Sequence, residues 1–540
     1  MKKQLKLFSC SLPDAQLSQQ SFEEIEITEE RINLFNEYSI ESYTKDIDNF
    51  GLSYTWNLIC EYIKRFGENN TILRINNFGE LYETGLAHQN KLEKKGYGKY
   101  YTPEDVAKVL GEWLKECKGE NICDVGCGTG NLILTYLELI GEAEALKLIN
   151  ERKIYLYDSD YVALQICKTA IITKYSIKDA TLINDIYCDF LDENIKLPKN
   201  AKVISNPPYT AIKEIKTSWI QTDVLLDSKE LYSCFMEKII NQSVSSVIIT
   251  PFSFISGNKF YSLRKEMCKI GNGFIVSFDN VPGNIFAGKK HGIFNTNTAN
   301  SVRAAITVSN RDENIKGYKI SPLIRFKNEE RKELLVNKSL YETIPDFLQI
   351  VDDKTFAFAK IDKSLQDIFD KWKKESKYTL KDFISRNKND YMLDIPNTCR
   401  YFTTASHRKL NRTGSIIINI QEKKIFNFIY CFINSSFAYW WWRIYDGGIT
   451  YPKSLLMDLP LPINLLSEDD YLFFENHYKE MMKIEDNYIV TKMNAGTEQE
   501  NIKFPEEYRN EINKKILSIL KIDTKYNVFA QVHSNCFKNE

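Results

Sequence analysis

The stretch Cys123-Asp124-Val125-Gly126-Cys127-Gly128-Thr129-Gly130 decides how this chain is read. A β-prone run, Ile122 to Val125, enters it, and Leu132, Ile133, Tyr136, Leu137 and Ile140 leave it at helical spacing. Strand, glycine turn and helix therefore follow one another. Glycines let the backbone turn tightly and lie close to a ligand, while spare N–H groups at the helix start can face negative charge. The bland alternative is a tight strand-to-helix turn with no ligand.

The spacing is Gly-x-Gly-x-Gly with an acid, Asp124, just before it, rather than the dinucleotide pattern Gly-x-Gly-x-x-Gly. That difference favours S-adenosylmethionine over a nicotinamide cofactor, with Asp124, Gly126, Gly128 and Gly130 as cofactor-binding candidates. Working outward, further strands are predicted at Ile154–Tyr157, Val203–Ser205, Val247–Thr250, Phe274–Phe278 and Ala304–Val308, separated by amphipathic stretches. This alternation predicts a doubly wound, mostly parallel α/β sheet with its chemistry at the strand ends. Asp158 ends the second strand, where a carboxylate can accept two bonds from a ribose diol; Asp160 can do the same or cap the next helix. Asp189 and Phe190 follow a β-like run and suit an adenine amino group and ring. Thr102-Pro103-Glu104-Asp105 reads as a helix start with Thr102 as N-cap. Its hydroxyl and free N–H groups are also candidates for the cofactor's carboxylate.

Asn206-Pro207-Pro208-Tyr209 lies directly after the strand Val203–Ser205. Two prolines remove two donors and stiffen the loop, leaving its carbonyls free to accept. An adenine amine is a poor nucleophile because its lone pair is delocalised. Accepting both of its hydrogens, through the Asn206 oxygen and the Pro207 carbonyl, favours a more tetrahedral nitrogen that can attack a sulfonium methyl in line. Positioning and preorganised acceptors suffice, with no metal and no strong base. Tyr209 can stack on a base that has left the duplex. The competing reading is an ordinary turn with Tyr209 plugging a core.

Taken together, Thr102-Pro103, Asp124 to Gly130, Asp158, Asp189-Phe190 and Asn206 to Tyr209 resemble the ordered motifs of the gamma-class DNA adenine-N6 methyltransferases of type II restriction-modification systems. The resemblance spans about residues 90 to 310 and continues through Glu230-Leu231-Tyr232, Phe235, Thr250 to Phe254 and Leu263-Arg264. It implies an S-adenosylmethionine-dependent methyltransferase fold acting on double-stranded DNA by base flipping, with a separate restriction endonuclease as partner. It nominates Phe286, in Asn284-Ile285-Phe286, as the aromatic on the other face of the flipped base, with Phe278 and Phe294 as rivals. Lys289 and Lys290 become DNA-binding candidates. The Trp440-Trp441-Trp442 cluster and Leu459-Pro460-Leu461-Pro462 resemble the end of family recognition domains.

The remaining sequence sets the organisation. At 540 residues, 43% hydrophobic and 26% charged, the chain is long enough for two or more cores. We expect a helical N-terminal extension over 1–90, a methyltransferase domain over 91–310 and a mixed α/β target recognition domain over 311–540. A formal charge of -1 excludes a polycation that coats nucleic acid, so any DNA site is local. One candidate is the acid-free run Arg400 to Arg412, with Arg400, Arg408, Lys409 and Arg412; a solvated basic loop is the alternative. The twelve cysteines form no Cys-x-x-Cys pair and fit buried free thiols in a reducing cytosol. No stretch approaches the ~18 apolar residues of a spanning helix, so a cytoplasmic protein without membrane contact is expected. Methylation of RNA or of a protein glutamine is a second reading of the Asn-Pro-Pro-Tyr loop, and a non-catalytic DNA-specificity subunit a third.

Overall fold

A computed structural model describes residues 102–286, 302–311, 315–337, 339–398, 402–448, 450–494, 496–523, 529 and 532. The expected N-terminal extension, and Lys289, Lys290, Phe294 and Arg400, lie outside the described residues. The chain divides into two compact units. One runs to Phe254 and adds Asn258–Tyr318 and Lys327–Tyr341; the other takes Ile255–Gly257, Lys319–Phe326 and everything from Glu342.

The first unit contains, in chain order, α1 (Glu104–Glu116), β1 (Asn121–Val125), α2 (Asn131–Ile140), α3 (Glu142–Asn150), β2 (Ile154–Asp158), α4 (Tyr161–Tyr175), β3 (Asn184–Tyr187) and β4 (Ala201–Ser205). Next come α5 (Asp223–Ser228), α6 (Leu231–Gln242), β5 (Ser245–Pro251), α7 (Tyr261–Ile270), β6 (Gly271–Ser277), β7 (Ala304–Arg311), β8 (Gly317–Ile320) and α8 (Arg331–Leu335). The strands make one sheet in the order β3-β2-β1-β4-β5-β7-β6-β8. From β3 to β5 every pairing is parallel, and β7 runs antiparallel to both β5 and β6. All six predicted strands are present. β3, foreseen only as a β-like run, and β8 complete the sheet.

Every residue of β4, and all but the first of β1, is buried, as expected of central strands covered on both faces. β1 sits where the winding reverses, with β2 on one side and β4 on the other. In open α/β sheets ligands bind at such a reversal, outside the carboxyl ends of the strands. The register fixes what lines it: Val125 pairs with Tyr157 and Ser205, and Asp158 with Tyr187. Gly126, Asp158, Cys188-Asp189 and Asn206 therefore leave the sheet along one edge.

The second unit mixes helices with small antiparallel sheets. It includes α9 (Gln366–Glu375), β9 (Ile384–Ser385), β10 (Tyr391–Pro396), β11 (Ser415–Ile420), α10 (Lys423–Ile433), α11 (Ser436–Tyr445) and α12 (Glu468–Ile484). A two-stranded ribbon, β12 (Ile489–Asn494) and β13 (Thr497–Ile502), follows. Its core is aromatic: Trp440, Trp441 and Trp442 are all buried, and Trp440 stacks on Trp372 at 5.7 Å. Among the described residues no helix is long and apolar enough to cross a membrane.

Candidate active site

The glycine turn needs its glycines for three different reasons. Gly126, Gly128 and Gly130 have φ of +71°, +52° and +92°, in the left-handed region that disfavours side chains. A Cβ on Gly130 would lie 2.5 Å from Cys167 Sγ on α4, so this residue sets how closely α4 packs under the turn. A Cβ on Gly128 would meet nothing within 4 Å, and one on Gly126 only the Asn206 carbonyl at 3.8 Å. Those two face open space at the sheet edge and leave room for a ligand. The turn is tied to β2, because Gly126 N–H donates to the Tyr157 carbonyl at 2.8 Å and Gly128 N–H to Asp158 Oδ2 at 2.7 Å.

Asp158 thus stands at the turn, while Asp160 caps α4 by accepting from Ala163 N–H. Asp124 lies beneath it, fully buried, with Oδ2 accepting from Ile133 N–H at 3.1 Å and Oδ1 without a hydrogen-bond partner. Burial pushes its carboxyl up to about 8; the Ile133 bond lowers it and the nearby Asp158 raises it. A cation held against the turn would favour the carboxylate. Open space at two glycines, an acid at the second strand end and an unsatisfied buried carboxylate oxygen together fit a cofactor with a ribose and an ammonium group.

Asp189 follows β3 and accepts from Lys216 Nζ at 2.6 Å and Trp219 Nε1 at 3.0 Å through Oδ2, and from Leu191 N–H through Oδ1. Lys216 and Trp219 carry no motif, and no single-sequence signal joins them to Asp189. Phe190 is buried against Phe235, with ring centroids 5.1 Å apart and Lys238 Nζ 5.0 Å over its ring. The Lys238 ammonium also donates to the Phe190 and Asp192 carbonyls, and burial lowers its pKa to about 8.

Thr102 is not the helix cap expected from sequence. Pro103 occupies that position with no side-chain cap, and Thr102 Oγ1 instead accepts from Asn206 Nδ2 at 2.9 Å. The other end of the amide, Oδ1, accepts from the Tyr209 hydroxyl at 2.7 Å, which also lies 3.1 Å from the Ile249 carbonyl on β5. Pro207 is buried and Pro208 partly exposed. The Tyr209 ring meets Phe286 edge-on, with centroids 5.9 Å apart at 65°. The two nominated stacking rings therefore touch, with no parallel slot between them. Phe286 and its rival Phe278 are both fully buried, Phe278 just beyond the end of β6.

In the second unit the predicted basic loop changes character, because acids distant in sequence converge on it. Arg412 forms an ion pair with Asp394 at 3.0 Å, with side-chain exposures of 3% and 0%. That pairing leaves little of the Arg412 guanidinium facing outward. Arg408 pairs with Asp486 and remains 44% exposed, and Lys409 is exposed. Buried Glu485 accepts from Ser406 and Tyr430 and faces His407 Nδ1 at 3.0 Å. The loop is pinned from below by carboxylates, leaving Lys409 and part of Arg408 outward.

A mostly parallel sheet wound 3-2-1-4-5, closed by an antiparallel seventh strand and carrying a glycine turn after its first strand, is the α/β fold of S-adenosylmethionine-dependent methyltransferases. The family model described as N-6 DNA Methylase matches residues 73–407, and the chain belongs to that family. It is 33% identical over 165 residues to the type I restriction enzyme MjaIX methylase subunit of Methanocaldococcus jannaschii, covering 30% of this chain and 27% of that protein. It is 27% identical over 194 residues to the type II methyltransferase M.VspI of Vibrio sp. (strain 343), covering 34% and 44%. The matched segments thus span less than half the length of these curated relatives. Among solved structures, the ATP-dependent type ISP restriction-modification enzyme LlaBIII bound to DNA overlaps at a TM-score of 0.46 with 12% identity, covering 88% of this chain and 46% of that one.

Proposed function

We propose that this chain transfers a methyl group from S-adenosylmethionine to the N6 amine of an adenine in double-stranded DNA, at a sequence it selects, as the modification component of a restriction-modification system. The observation that carries this reading is the Asn206 amide, oriented by Thr102 at the sheet edge that also holds the glycine turn. When bound, the cofactor supplies a sulfonium-activated methyl group. Gly126 to Gly130 and Asp158 hold it at the ends of β1 and β2, and Asp189 and Phe190 hold its adenine.

Asn206 Oδ1 and the Pro207 carbonyl accept the two hydrogens of the target amine, and the fixed geometry orients its lone pair. In the structure that oxygen accepts from the Tyr209 hydroxyl. Arrival of the base exchanges one donor for another, and the Tyr209 hydroxyl turns its single hydrogen to the Ile249 carbonyl 3.1 Å away. Tyr209 and Phe286 part to stack on the two faces of the base. The second unit, with Lys409 and Arg408, and the segment bearing Lys289 and Lys290 grip the duplex, and a separate endonuclease cleaves unmodified sites.

The test uses tritium-labelled cofactor with unmethylated genomic DNA, followed by nucleoside analysis. Label in 6-methyladenine is expected, and loss of it in Asn206→Ala with retained S-adenosylhomocysteine binding. Label appearing only in RNA or protein overturns the reading.

A further inference from the structure

Residues 327–341 belong to the methyltransferase unit although they follow all of its strands. Arg331, the first residue of α8, explains why they matter. Its side chain is 11% exposed, and its guanidinium faces two separate segments. Nε and Nη2 form a two-pronged pair with the Asp105 carboxylate, the Nη2 bond at 2.8 Å. Nη1 donates to the Asn284 carbonyl and Nη2 to the Ile285 carbonyl, each at 2.8 Å.

Each target adjoins a different half of the site. Asp105 stands in the first turn of α1, next to Thr102-Pro103. Asn284 and Ile285 directly precede Phe286. The contacts close into a ring: Phe286 touches Tyr209, Tyr209 bonds Asn206, Asn206 bonds Thr102, the backbone through Pro103 joins Thr102 to Asp105 in the first turn of α1, and Arg331 joins Asp105 back to Ile285. A strap that merely fastened α8 to α1 would need only the carboxylate. The two carbonyl bonds go to the backbone that aims Phe286.

We propose that Arg331 is a positioning residue that couples occupancy of the base pocket to occupancy of the cofactor pocket. The inference rests on the function proposed above. A base entering beside Tyr209 displaces Phe286, and the displacement reaches the carbonyls of Asn284 and Ile285. The planar guanidinium passes it to Asp105 and back to Thr102, whose carbonyl accepts from the Asn131 side chain at 2.6 Å, at the end of the glycine turn. Lysine, a point donor on a flexible stem, keeps the charge without the fixed fork. Linkage is reciprocal, so cofactor binding biases Phe286 by the same factor.

The experiment measures S-adenosylhomocysteine affinity of the full chain by calorimetry, with and without a duplex carrying 2-aminopurine at a methylated adenine mapped by modified-base sequencing. In the wild-type protein the duplex should tighten binding by about 10-fold, within the usual range for coupled sites. In Arg331→Lys the ratio should fall to about 2 or less, with 2-aminopurine fluorescence no longer responding to the ligand. Asp105→Asn, which keeps the shape of the partner, should give the same loss in a protein whose melting temperature shows an intact fold. A simple loss of stability would weaken both affinities and leave their ratio. An unchanged ratio in either folded variant overturns the proposal. Failure of the wild-type chain to methylate adenine in any duplex overturns the functional reading itself.

Discussion

The side-chain amide of Asn206 donates to the hydroxyl of Thr102 at 2.9 Å, across 104 residues of sequence. This bond holds the donating end of the amide and leaves its accepting end, Oδ1, to Tyr209. Without it the group can turn over and present N–H groups to a base amine that itself only donates. Thr102→Val should therefore lower kcat by about 10- to 100-fold, the effect of losing one orienting hydrogen bond of roughly 1–3 kcal/mol. Thr102→Ser should retain most of the rate. Steady-state kinetics with both substrates varied checks this, and a fall in cofactor affinity with kcat unchanged would assign Thr102 to binding instead.

Asp124 makes stability depend on pH in an unusual direction for an acid. Burial holds its folded pKa at about 8, above the ordinary 3.8, so the native state keeps a proton that the unfolded chain releases. The contribution is fully present below 3.8 and is lost as pH rises to about 8. Asp124→Asn cannot ionise, so its melting temperature relative to wild type should climb between those limits and level off above them. Cofactor affinity should fall in the same variant if the carboxylate answers a bound cation. A flat melting difference across that pH window would show that Asp124 is not held protonated.

How much of this was visible beforehand depends on sequence distance. The strands, the glycine turn and the Asn206 loop are local signals, and the parallel order follows from alternation of strand and helix. Long-range pairs leave no such trace. Nothing near Asp189 announces Lys216 and Trp219, and nothing near Asp105 announces Arg331, 226 residues later. The 400–412 run reads as basic because its own residues are, yet Asp394, Glu485 and Asp486 neutralise it from other elements. Thr102 misled for a related reason: its hydroxyl had a distant partner competing with the local cap.

Gly130 separates two causes of glycine preference. Its φ of +92° alone disfavours a side chain by about 1–2 kcal/mol, and the added Cβ would also press on Cys167 Sγ at 2.5 Å. Gly130→Ala should therefore lose more stability than the backbone alone explains. Adding Cys167→Ala should restore the steric part and leave the conformational part. Denaturant unfolding of the two single variants and the double variant measures that coupling. Strict additivity would show that α4 shifts freely and does not set the turn.

Arg412 and Lys409 lie three residues apart and should behave oppositely. Removing the guanidinium leaves Asp394 buried and unpaired, so Arg412→Ala should destabilise the fold by about 3–5 kcal/mol. Lys409 is exposed, so Lys409→Ala should leave the melting temperature within error. It should instead weaken DNA binding and flatten the dependence of log affinity on log salt by about 1, as for one lost phosphate contact. Arg412→Ala, measured where it remains folded, should keep the wild-type slope, because a charge already neutralised by Asp394 releases no counterions when DNA arrives. Fluorescence anisotropy across a salt series separates the two. A reduced slope in Arg412→Ala would return that residue to the DNA surface and make the buried pair a property of the unbound protein alone.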